Sequence, residues 1–128
     1  MPFIASNKLT EEAADDYMMV YHATVKLLAD AVVLFNSLSK SSQTTSDREL
    51  YKAKALEANR ALELLSSQLA AFLQGTSLVR RPSREEIETA QGLAKKLADL
   101  AAAHAKAQAL VTILTDGVNG FNKVNKVA

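Results

Sequence analysis

The sequence predicts an all-α protein, three long helices in an up-down-up antiparallel bundle, with room for completion to a larger bundle by dimerisation. Three observations carry this. Alanine and leucine, both strong helix formers, dominate the 128 residues. Four glycines and two prolines supply too few turn residues for a fold of many short strands. Apolar residues recur at steps of three and four along three separate stretches, the spacing of a buried helical stripe.

The first helix is expected from Glu11 to about Leu38. Thr10 precedes it as an N-cap, and Glu11, Glu12, Asp15 and Asp16 suit the positive end of the helix dipole. Its stripe is Ala14, Tyr17, Tyr21, Leu28, Ala31, Phe35 and Leu38, with Thr24 filling the gap. The polar run Ser39 to Ser46 reads as a loop. Ser46-Asp47-Arg48-Glu49 has the form of a capping box and opens a second helix, which Gly75 ends. Its stripe is Tyr51, Ala55, Ala58, Leu62, Leu65, Leu69 and Phe72, and Arg60 is spaced to pair with Glu57 or Glu63. A second capping box, Ser83-Arg84-Glu85-Glu86, opens the third helix. It is expected to reach Asp116, with Gly117 as its stop, on the stripe Ala90, Leu93, Leu97, Leu100, His104, Ala107, Val111 and Leu114. The chain thus divides into an N-terminal extension (1–10), a bundle domain (11–116) and a C-terminal tail (117–128). The tail either frays or packs, with Phe121 and Val124 able to fold back.

Composition narrows the function. With no cysteine, disulfides, thiolate nucleophiles and cysteine-bound zinc are excluded, which suits a cytoplasmic setting. The opening MPFIASNKLTEE lacks the apolar run of a signal peptide. The most apolar stretch, Tyr17 to Phe35, is interrupted by His22, Lys26 and Asp30, so no membrane span is expected. A net charge of +1 provides no global pull toward nucleic acid or anionic lipid.

Helix 1 carries more apolar surface than two neighbours can cover. Met18, Val25 and Val32 flank its stripe on one side, Val20, Leu27 and Leu34 on the other, and Met19 and Val33 fall near the back. A helix apolar nearly all round is buried on most sides. Either the chain's own ends cover the surplus, or another chain does. The interface expected on the second reading is Met19, Val20, Leu27, Val33 and Leu34.

His104 lies within the alanine-rich stripe of helix 3. Its plain reading is a neutral core histidine that sets helix register. Its functional reading is a polar anchor in a small-ligand pocket with Tyr17 and Tyr21. No metal is expected: Ala101 and Gln108 flank His104, and Met19 and Lys26 flank His22, at the spacings where ligands would stand. No cofactor or catalysis is expected either. The serines cluster in loops and caps, no Gly-x-Ser-x-Gly elbow is present, and no glycine-rich phosphate loop exists.

The densest surface charge is Val79 to Arg84. Arg80, Arg81 and Arg84, at a helix N-terminus, are candidates for holding an anion, with Lys95 and Lys96 extending the patch. The plain reading is a solvated linker balanced by Glu85, Glu86 and Glu88. Arg-Arg-Pro-Ser also has the form of a basophilic kinase site at Ser83, although capping occupies that hydroxyl. The expected function is a non-catalytic helical interaction module, an adaptor, chaperone-like protein or complex subunit, that self-associates through helix 1. Small-ligand binding near His104 is the alternative, followed by weak nucleic-acid or phosphate binding at the arginine loop.

Overall fold

The computed structural model describes residues 2–103 and 107–126. Among the described residues four α-helices carry the fold: α1 (Glu11–Ser41), α2 (Thr45–Leu73), α3 (Arg84–Ala102) and α4 (Ala107–Val124). Three two-residue strands accompany them: β1 (Ile4–Ala5), β2 (Leu78–Val79) and β3 (Asn125–Lys126). The all-α class holds, but the bundle has four helices rather than three. The stretch expected as one third helix is two, and Gly117 lies inside α4 instead of ending a helix.

Energetics explain the break. Local propensity favours an unbroken helix, since no proline or glycine stands between Leu93 and Asp116. Ending α3 at Ala102 forgoes at most about 1 kcal/mol of helix preference per residue. Folding the chain back buries Leu110, Ile113, Leu114, Phe121 and Val124, each worth about 1.5–3 kcal/mol. Burial wins.

Helix ends follow their capping chemistry. The Thr10 side chain accepts from the Ala13 amide at 3.1 Å. The Ser83 box forms in both directions: Ser83 Oγ accepts from the Glu86 amide at 3.1 Å, and Glu86 Oε1 accepts from the Ser83 amide at 3.0 Å. The expected Ser46 box does not cap α2. Thr44 does so, accepting from the Asp47 amide at 3.1 Å, so that helix starts earlier. Gly75, just past the end of α2, takes φ +79°, a left-handed conformation that closes a helix cheaply only at glycine. On the surface of α2, Glu57 pairs with Lys54 rather than Arg60.

α1 packs against all three other helices. Its core face is Tyr17, Val20, Tyr21, Thr24, Leu27, Leu28, Ala31 and Phe35. Tyr17 stacks on Phe72 at 4.3 Å, and Phe35 lies over Tyr51 at 6.1 Å, so early α1 stands beside late α2. Phe121 of α4 meets both Tyr17 and Tyr21. Gly117 sits against Leu27 so closely that an added Cβ would overlap its Cδ2. By length and composition α1 is apolar enough to cross a membrane, and 39% of its most apolar stretch is buried within this fold.

The strands pair antiparallel in the order β1-β2-β3, with Ile4 opposite Val79 and Val79 opposite Asn125. The Ser6 amide donates to the Ser77 carbonyl at 2.7 Å, and the Arg80 amide to the Val124 carbonyl at 3.0 Å. This small sheet ties the N-terminal segment, the α2–α3 connection and the end of α4 together. The segment beyond residue 116 is therefore packed through Lys126 rather than frayed.

Candidate functional site

The sequence-predicted interface divides. Val20 and Leu27 are buried in the chain's own core, 2% and 1% exposed, and cannot meet a partner. Leu34 is half-buried against that core. Met19 and Val33 remain on the surface at 48% and 70%. The correction has a cause: α4 supplies the cover that a three-helix count lacked.

What remains open is a groove between α1 and α3. One hollow of about 870 Å³ lies between Asp16 and Met19 of α1 and Arg84, Ile87, Glu88 and Gln91 of α3, with the arginine loop at its end. A second, of about 580 Å³, continues along the same two helices between Met19, His22, Ala23 and Lys26 on one side and Gln91, Ala94, Lys95 and Ala98 on the other. Met19 and Gln91 line both hollows, so the two form one continuous surface with a waist at that pair. Its second half is lined by small residues, Ala23, Ala94 and Ala98, which let another backbone approach closely. Sequence reasoning found Met19 but not the α3 side, because the i, i+3, i+4 pattern does not say which two helices leave a furrow between them.

Tyr17 and Tyr21 are both buried in the core. Tyr17 is fully buried, and its hydroxyl donates to Asn125 Oδ1 at 2.6 Å. Ser77 Oγ donates to the same oxygen at 3.2 Å, while Asn125 Nδ2 donates to Gln68 Oε1 at 2.9 Å. Asn125 thus joins α1, α2 and the α2–α3 connection at one fully buried amide. Burial pushes the Tyr17 hydroxyl well above the ordinary tyrosine value, with nearby Tyr21 adding to the rise. Burial raises Tyr21 as well. Among the described residues no buried side-chain nitrogen or oxygen lacks a partner. His104, the proposed anchor, lies outside the described residues.

The arginines are engaged. Arg80 holds Glu86 with two bonds, at 2.9 and 2.7 Å. Arg81 Nε meets Asp16 Oδ2 at 2.8 Å, and Arg84 Nε meets Glu88 Oε1 at 3.2 Å. The Arg80 hydrogen bonds hold the Glu86 carboxyl down at about 2, against the opposing effect of burial. The same bonds raise Arg80 further above its already high value. The α3 amides that an anion would use are partly taken by the capping box. The Ser83 hydroxyl accepts the Glu86 amide, as capping requires.

No protein-family model, curated protein or solved structure matches this chain.

Proposed function

We propose that this chain is a non-catalytic helical protein–protein interaction module that self-associates through the outer face of α1 and α3. The observation that carries this reading is the continuous furrow between those helices with exposed Met19 at its waist. A flexible, polarisable methionine adapts to an incoming side chain, and a floor of alanines admits a helix backbone. The rims carry both signs, Lys26 and Asp30 on α1 and Glu88 and Lys95 on α3. A patch of one sign would repel its own copy, whereas a mixed patch does not. The near-neutral whole, with a net charge of +1, adds little long-range repulsion between copies.

Light scattering across a dilution series tests it. The expected result is a mass above the 13.8 kDa chain at high concentration, falling to that mass on dilution. Met19→Glu should shift the balance to monomer with an unchanged far-ultraviolet circular dichroism spectrum. A chain that stays monomeric at millimolar concentration would rule the reading out.

A further inference from the structure

The waist of the α1–α3 furrow is a thioether. Met19 is 48% exposed and lines both hollows. Its chain neighbour Met18, about 100° away round α1, is half-buried against the core. The chain has no cysteine and no tryptophan, so its methionine sulfurs are the side-chain atoms that take up oxygen most readily. Of Met18 and Met19, only the second stands open to a dissolved oxidant.

Oxidation changes what the waist can meet. A hydroperoxide delivers one oxygen to Met19 Sδ: the O–O bond breaks, an S–O bond forms, and water leaves when the oxidant is hydrogen peroxide. The sulfur gives up two electrons and the peroxide takes them. The thioether was apolar and pliant; the sulfoxide is polar and accepts hydrogen bonds. On the free chain, water solvates the new oxygen. A partner that covers Met19 strips that water away. The floor beside it is Ala23, Ala94 and Ala98, whose methyl groups donate nothing. Three of the surrounding cations are already paired, Arg81 with Asp16, Arg84 with Glu88 and Lys26 with Asp30. Gln91 and Lys95 are left to replace the lost water. Covering a polar group that is only partly re-bonded is unfavourable.

We propose that Met19 is a reversible oxidation site, and that its sulfoxide releases the chain from self-association. This rests on the self-association proposed above. Covering Met19 also shields it from the oxidant, so association and oxidation oppose each other. Concentrated chains are protected, whereas dilute chains are oxidised and stay apart.

Dilute hydrogen peroxide tests it. Tandem mass spectrometry places the added oxygen, light scattering reads the mass, and circular dichroism checks the fold. Oxygen should enter Met19 well before Met18, and more slowly once the chain concentration is raised into the associating range. The oxidised chain should associate roughly ten- to a hundredfold more weakly, with an unchanged dichroism spectrum. Methionine sulfoxide reductases for both sulfoxide epimers, with a dithiol as reductant, should restore the original mass. Met19→Leu should associate and ignore the peroxide. A Met18 that oxidises as fast as Met19, equal Met19 rates at the two concentrations, or association that survives full oxidation of Met19 would each overturn the switch. An unmodified chain that is monomeric throughout overturns the self-association reading along with it.

Discussion

α2 runs for 29 residues and buries Ala55, Ala58 and Leu65. α4 runs for 18 and buries Leu110, Ile113, Leu114, Gly117, Phe121 and Val124. The longer helix has the more regular apolar stripe, yet the shorter one fills more of the core. Position accounts for the difference. α2 leans mainly on α1, so Tyr51, Leu62, Leu69 and Phe72 are only half-covered, and Leu56, Leu64 and Leu73 face outward. α4 lies against both α1 and α3. A clean stripe shows which side of a helix faces inward, but not how many neighbours meet it.

The most direct way to break that comparison is a pair of truncations. Phe121→Ala should cost about 3–5 kcal/mol, since it empties a fully enclosed site between Tyr17 and Tyr21. Leu64→Ala, on a residue 46% exposed, should cost under about 0.5 kcal/mol. Urea unfolding measures both. Equal losses would mean that α2 and α4 share the core evenly.

Next in size is Asn125→Leu. It removes the acceptor for Tyr17 and Ser77 and the donor to Gln68. Two buried hydroxyls would be left unpaired, which should cost about 2–3 kcal/mol in the same assay. A neutral result would show that the end of α4 is held by its apolar contacts alone.

Two glycines in α4 sharpen the point further, because one substitution should act with opposite signs. Gly117→Ala drives a methyl into Leu27 and should destabilise by about 1–2 kcal/mol, with Leu27's flexible end absorbing part of the strain. Gly120→Ala meets nothing within 4 Å and should stabilise by about 0.5–1 kcal/mol through helix propensity. Thermal melts of the two variants should bracket the unmodified protein.

A last effect, which depends on pH, concerns the α3 start. The Glu86 carboxyl is held at about 2, below its ordinary 4.5, first by Arg80. A depressed carboxylate contributes stability that is present above its unfolded value and lost as pH falls through the folded one. Glu86→Gln should therefore cost about 1 kcal/mol at pH 7. That gap should close between about pH 4.5 and pH 2. A gap that persists at pH 2 would point to the cap bond to Ser83, not the ion pair, as its source.

Much of this fold was legible in the sequence, and the failures have physical causes. Thr10, Ser83 and Gly75 act as their chemistry requires, since each helix end is settled by one or two local hydrogen bonds or one dihedral angle. Ser46 misled because Thr44, two residues earlier, could meet the same need and did. The turn after Ala102 was invisible because nothing in Ala101-Ala102-Ala103 breaks a helix locally. Val20 and Leu27 looked like surplus surface only while α4 was counted as the far end of α3. Of the furrow, Met19 was visible from its place on α1, but Gln91, Ala94 and Ala98 could not be paired with it.

Read alone, the chain determined its class, the helix ends at Thr10, Ser83 and Gly75, and much of the inward face of α1 and α2. Those follow from spacing and from bonds within four residues. The tertiary structure decided the number of helices, the fate of the C-terminal segment and the line along which α1 and α3 leave a furrow. Each of these turns on burial summed over distant residues, and that sum outweighs local preference without altering the local pattern.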